Sequence, residues 1–245
     1  MFTYAARRRR RRWRRRRRLA LLAVVAIAAI VAAQHAAHPH QPDRPSVSRS
    51  ASAAPSATST GRVRFGPGFR WLDFHGIDLP VSATAGPHRI HNGLSGGFTD
   101  TPPGAVLAAV NIAVRTSAQW GPGIYRPTIT HHVIGPAAGI MLAADNSSYA
   151  ALRAAAHVAP GQPAGRGYAV EAAYRLVRYT PESATAAIVS EGPASNGTAV
   201  LAVTRIRVRW QRGDWRVVAP PDGTWSRSAT TVSSLSDYTA FPSER

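Results

Sequence analysis

Eleven arginines lie between Arg7 and Arg18, interrupted only by Trp13. A guanidinium run this dense can contact the phosphates of nucleic acid or of anionic lipid, with Trp13 at headgroup level. The remaining chemistry is sparser. His88 and His91 form an H-x-x-H pair, His131 and His132 adjoin, and His35, His38 and His40 are closely spaced. A zinc site needs a third ligand and an ordered element beneath the pair. His88 and His91 fall in a Gly/Pro-rich loop, so no metal is expected. Asp73, Asp78 and Asp100 precede the first predicted helix. Paired carboxylates can do acid–base work, but Asp100 is better placed to help cap that helix beside Thr101. The glycines at 93, 96 and 97 lack the strand–loop–helix context and the lysine of a phosphate loop. Gly93-Leu94-Ser95-Gly96-Gly97 has the letters of G-x-S-x-G but lacks the strand–turn–helix context of a nucleophile elbow. Arg212-Gly213-Asp214 spells an adhesion tripeptide, yet it falls where a hairpin must turn, and Gly-Asp is ordinary turn chemistry. Cysteine is absent, which excludes disulfides, thiol nucleophiles and thiolate metal sites. The reading is a protein with no catalytic residue, no cofactor and no metal.

The charge is unevenly placed. The formal net charge is +18, and removing the eleven N-terminal arginines leaves +7 for the rest of the 245-residue chain. A high pI signals nucleic-acid binding when the charge belongs to the folded domain. Here most of it does not, so direct nucleic-acid binding is not expected. All thirty basic residues are arginine, which with the alanine excess reads as coding bias and warns against over-interpreting any one of them.

An apolar run opens at Leu19 and closes at Ala33, fifteen residues without a polar side chain. As a helix it spans about 22 Å at 1.5 Å per residue, short of the roughly 30 Å hydrocarbon core. Ala36 and Ala37 extend it weakly, and Arg17 and Arg18 can snorkel along the inner leaflet. A membrane anchor over residues 19–37 is the favoured reading. A cleaved signal peptide, with Val31-Ala32-Ala33 as the processing site, is the rival. Both place the arginines, including Arg7, on the cytoplasmic side and the rest of the chain outside.

Stepping C-terminally, residues 38–60 are rich in Pro, Ser, Ala and Thr and cannot bury enough apolar surface to fold. An extracytoplasmic domain is expected over residues 61–222, with a Ser/Thr-rich tail over 223–245. The domain opens with short strand-like pieces. Thr101 is an N-cap and Pro102 sits at the first helical position; the spacing of Val106, Leu107, Val110 and Val114 predicts a helix over 102–119, closed by Gly121-Pro122-Gly123. Further helices are expected in "PTITHHVIG" and in "SSYAALRAAAHVA", the latter capped by Ser147 or Ser148. In "YAVEAAYRLVRY", period-two alternation sets Val170, Ala172, Tyr174 and Leu176 opposite Glu171, Ala173 and Arg175. "TAAIVSEG" is a second strand. In "TAVLAVTRIRVRW", Arg205, Arg207 and Arg209 lie on one face and Thr204, Ile206, Val208 and Trp210 on the other. "QRGD" turns the chain and Trp215 begins the returning strand. Helices followed by an antiparallel meander predict an α+β fold, with helices covering one face of a curved sheet. Such an arginine face is ordinarily a solvated outer sheet face; the other reading is a surface for an acidic partner or an anionic cell-wall polymer. Tyr174, Trp210 and Trp215 are candidates for core or for the lining of a concave pocket.

The stretch "WLDFHGIDLPVSATAGPHRIHNGLSGGFTDTPPGAVLAAVNIAVR" resembles an uncharacterised family of actinobacterial membrane proteins associated with integrative and conjugative elements. The resemblance rests on Trp71, Gly76, Leu79-Pro80, Ser82, Gly86-Pro87, Gly97-Phe98, Thr101-Pro102 and Gly104-Ala105 leading into Ala108-Ala109. "VRWQRGDWRVV" resembles the last hairpin of nuclear-transport-factor-2-like domains, among them the exported domains of TcpC-type subunits of conjugative type IV secretion systems. These resemblances imply a nuclear-transport-factor-2-like or cystatin-like cone behind one transmembrane helix. They also imply a scaffold role among other subunits of a transfer complex, with homo-oligomerisation among the expected arrangements. They carry over no catalytic residues. The alternative is a secreted or anchored binding module for a small ligand or cell-wall polymer. A hydrolase or isomerase on the same fold would need an Asp or His inside the concave face.

Overall fold

Helix α1, Pro102–Arg115, is buried on every side from Gly104 onward, and the other elements wrap around it. The computed structural model describes residues 62–193 and 198–243. The arginine run, the apolar run and the linker, and with them Arg7, Trp13, Arg17, Arg18, Leu19 and Ala33, lie outside the described residues. No helix among the described residues is long and apolar enough to cross a membrane. The Thr101 hydroxyl accepts from the Gly104 N–H at the start of α1, as the sequence predicts. The helix stops at Arg115 rather than 119. Thr116 Oγ1 donates back to the Ala113 carbonyl at 2.7 Å, and Ser117 turns extended.

Two hairpins precede α1. Strands β1 (Arg70–Phe74) and β2 (Ile77–Val81) pair around His75-Gly76, and β3 (Arg89–His91) and β4 (Leu94–Gly96) around Asn92-Gly93. Both central residues of each turn have positive φ (50° and 95°, 48° and 75°), the backbone that two-residue hairpins favour. After a short 3₁₀ turn at Ala118–Trp120, Gly121 adopts φ 85°, ψ 160° and leads into α2, Pro122–His132. Gly121-Pro122-Gly123 therefore opens the second helix instead of closing the first, with proline again in the first turn. Strand β5 (Val133–Ile134) follows, then α3 (Ala138–Ala155). Helix α3 starts nine residues before Ser147. That serine is no cap: its hydroxyl donates to the Ala143 carbonyl from within the helix.

The C-terminal half is a meander of β6 (Val170–Thr180), β7 (Ser183–Pro193), β8 (Ala199–Gln211) and β9 (Asp214–Val218). It forms the body of a seven-stranded sheet, antiparallel except where β5 pairs parallel with β9. Strands β10 (Ala229–Val232) and β11 (Thr239–Ala240) complete it, β10 against the first half of β8 and β11 against β6. The segment read as a tail is thus part of the sheet, and Phe241 enters the main core. The α+β class with helices on an antiparallel-dominated sheet is as expected.

The inner face of the sheet presents Tyr174, Leu176, Ala184, Ala186, Ile188, Ile206, Val208, Trp215 and Val217 to a core shared with α1, α2 and α3. A smaller cluster on the outer face, Ala173, Ala187, Val189 and Val203, is covered by Leu201, Val232, Leu235 and Tyr238. β6 carries two register shifts, between Glu171 and Ala173 and between Leu176 and Arg178. A bulge rotates the strand by one position. Glu171 consequently shares the inner face with Tyr174, where simple alternation had put it opposite.

Candidate functional site

The three aromatics singled out in the sequence all join the main core, at two different ends of it. Trp215 is fully buried and its indole N–H donates to the Thr99 carbonyl at 2.8 Å. Half-buried Trp210 meets it edge-on at 5.4 Å between ring centres. Tyr174 lies away from this pair. It packs on Phe65 and Phe241 at 5.2 and 4.9 Å, and its hydroxyl donates to the Val63 carbonyl at 2.9 Å. Tyr174 and Trp215 fill space and satisfy their polar atoms on backbone, which is how aromatic core residues behave.

Polar groups inside the domain hold elements together. The Asp214 carboxylate, 2% exposed, accepts from the backbone N–H groups of Gly97 (2.7 Å), Phe98 (3.0 Å) and Trp215 (2.9 Å). Arg89 Nη2 approaches it at 3.5 Å. It ties the β8–β9 turn to the segment that feeds α1, and Gly96 leaves room: a Cβ there would sit 3.1 Å from Asp214 Oδ2 and 3.4 Å from His132 Cε1. Arg216 Nη1 donates to the His131 carbonyl at 2.6 Å and lies 2.8 Å from His132 Nδ1. Burial, reinforced by the Arg216 guanidinium, pushes the His132 pKa down to about 4. His132 is therefore neutral at physiological pH and Nδ1 accepts the bond.

Arg115 is a buried cation at the C-terminal end of α1, where the helix dipole favours positive charge. Nε donates to the Gly93 carbonyl at 2.8 Å. Nη1 donates to Asn111 O and Oδ1, each at 2.9 Å, and the guanidinium lies 4.3 Å from the centre of the Phe74 ring. Asn111 Nδ2 in turn donates to the Pro80 carbonyl at 2.8 Å. The Asn111–Arg115 ladder thus fastens both hairpins to α1. Arg115 Nη2 and Ser95 Oγ are buried and have no hydrogen-bond partner among the described residues. Glu171, also buried, accepts from Ser190 Oγ at 2.8 Å, and burial raises its pKa to about 7.

The predicted histidine pairs stay apart from any ligand set. His88, His91 and His131 are exposed, and no group of three or more His, Cys, Asp or Glu side chains could hold a metal among the described residues. The tripeptide at 212–214 is the β8–β9 turn, Arg212 and Gly213 both at positive φ. Asp214 was readable only as a turn residue, since its partners lie 116 and 117 positions away. Asn111 and Arg115 left a fainter signal, a polar pair four apart in an otherwise apolar helix.

Arg205, Arg207 and Arg209 do share one exposed face, with Ile206 and Val208 buried behind them. The register brings three more arginines to the same face. Arg175 and Arg205 flank Ala187, Arg178 and Arg207 flank Thr185, and Arg209 lies between Ser183 and Arg216. Among the described residues none of these six has a carboxylate at ion-pair distance.

No curated protein and no solved structure matches the chain. Residues 30–240 match the model of a family described as a domain of unknown function (DUF8175). Since the match runs from within the apolar segment to β11, the chain belongs to that family.

Proposed function

We propose that the protein is a non-enzymatic assembly subunit, held in the membrane by residues 19–37 with its N-terminus cytoplasmic and its α+β domain outside. The observation that carries this reading is the occupied inner face. Trp215, Tyr174, Ile188 and Val208 are each no more than 2% exposed against α1 and its neighbours. Ligand sites on such folds are concave and open; a face spent on packing leaves the exterior to do the work, as a scaffold does. Helices ahead of an antiparallel meander, bulged along β6, support a nuclear-transport-factor-2-like or cystatin-like cone. Together with the resemblances of the first hairpins and the last, this supports a place in a conjugative, type IV secretion-like DNA-transfer apparatus, among other subunits and copies of itself.

Recovery of the tagged full chain from membranes after crosslinking tests the proposal. It should bring down other transfer components, and a deletion strain should transfer DNA poorly. Recovery of none of them, with normal transfer from the deletion strain, refutes it.

A further inference from the structure

The outer face of the sheet is divided. One half is apolar and closed by the chain's own C-terminal segment, whose Val232, Leu235 and Tyr238 cover Ala173, Val189 and Val203. The other half is left open and carries five of the arginines; the sixth, Arg216, turns its guanidinium to the His131 carbonyl and His132 Nδ1. Tyr238 marks the border, with the Arg175 guanidinium 5.3 Å from its ring centre.

The open half has a shape. Arg175 and Arg178 stand on β6; Arg205, Arg207 and Arg209 stand on β8. Between them β7 contributes Ala187, buried in the closed apolar cluster, and then half-buried Thr185 and Ser183, while Val177 of β6 packs on that same cluster. Strands lie about 4.8 Å apart, so the two rows are separated by roughly 10 Å, with neighbours in a row about 7 Å apart. Small neutral side chains floor the space between. This is a trough one chain wide, walled by guanidinium groups, which bind phosphate oxygens bidentately.

We infer that this trough binds an extended, base-free phosphodiester polymer of the polyol-phosphate kind. The walls supply cations in two lines, which suits a linear polyanion better than a flat lipid surface. Single-stranded nucleic acid is gripped through aromatic platforms on which bases stack. The trough residues include no aromatic, and Tyr238 at its border lies against Arg175. The choice of an envelope polymer rests on the exported placement proposed above. Binding is measured in vitro, so its failure is distinguishable from a failure of that placement, which protease accessibility reads.

The test uses the full chain in detergent micelles with poly(glycerol phosphate) of defined length. Three proteins are compared: wild type, Arg178→Gln/Arg207→Gln/Arg209→Gln, and Arg8→Gln/Arg10→Gln/Arg12→Gln. The two variants lose the same charge, so they separate the trough from the N-terminal run. The trough variant should bind more weakly by on the order of tenfold or more, and the slope of log affinity against log salt should shrink by about 2, as for three lost phosphate contacts. The N-terminal variant should stay much closer to wild type. Thr185→Glu, which places a carboxylate on the floor and removes no arginine, should weaken binding independently. Equal losses in the two triple variants would overturn the inference. So would no binding of poly(glycerol phosphate), or a trough-dependent loss seen only with an oligonucleotide or with anionic vesicles.

Discussion

Replacing Glu171 by glutamine should change how stability depends on pH rather than shift it equally everywhere. The bulge at Ala172 turns this carboxyl onto the buried face, where Ser190 is its hydrogen-bond partner. Burial disfavours the charged form and lifts the pKa from 4.5 to about 7, against the opposing Ser190 bond. Between those values the unfolded chain has released the proton and the folded chain has kept it. Folding is then linked to proton uptake, and stability falls as pH rises through the interval. Below pH 4.5 both states are protonated and nothing is lost. Above pH 7 the loss is complete and amounts to roughly 3 kcal/mol at 1.36 kcal/mol per pH unit. Glu171→Gln keeps the shape and an acceptor for Ser190 but cannot ionise. Urea denaturation of both proteins at pH 4.5 and pH 8 gives the comparison. The variant should gain on wild type by roughly 3 kcal/mol more at pH 8 than at pH 4.5. An equal offset at the two pH values would show that the carboxyl titrates normally, and the burial argument would fail.

Asp214→Ala frees the N–H groups of Gly97, Phe98 and Trp215 at once, and should cost about 2–5 kcal/mol in chemical denaturation; a loss under about 1 kcal/mol would show that water replaces the carboxylate. Trp215→Phe keeps most of the packing and removes one of two bonds to the Thr99 carbonyl, which still accepts from the Thr101 N–H, a cost of about 0.5–1.5 kcal/mol in the same assay. The His132 ring should titrate near pH 4 by NMR. Because its folded pKa is depressed, the domain should lose stability as pH falls from 6.5 toward 4, and a midpoint above 6 would contradict the geometry.

The readable parts of the fold were those fixed by local spacing. Thr101-Pro102 marks the start of α1, the Arg/Val alternation marks β8, and Gly213 marks its turn. Sequence misled where one residue type serves either end of a helix: Gly121-Pro122 reads as a stop and acts as a start, because Gly121 takes an extended positive-φ conformation. It misled again at Glu171, since a bulge breaks the period of two without a marker glycine or proline. The C-terminal segment looked like a tail because its cover is supplied by few residues, Val232, Leu235, Tyr238 and Phe241, spread among serines and threonines. For the candidate surface, Arg205, Arg207 and Arg209 were visible as one stripe. The second wall could not be seen, because Arg175 and Arg178 join it only through long-range register and a bulge.

The account rests on a folded domain held outside a membrane by the apolar run that opens at Leu19. The most direct measurement is protease treatment of intact cells, followed by mass determination of the membrane-retained fragment. The account predicts that the domain is cut away from outside and that the retained fragment begins at the native N-terminus with the arginine run intact. A protected domain, or a mature chain that begins just after Ala33, would contradict it.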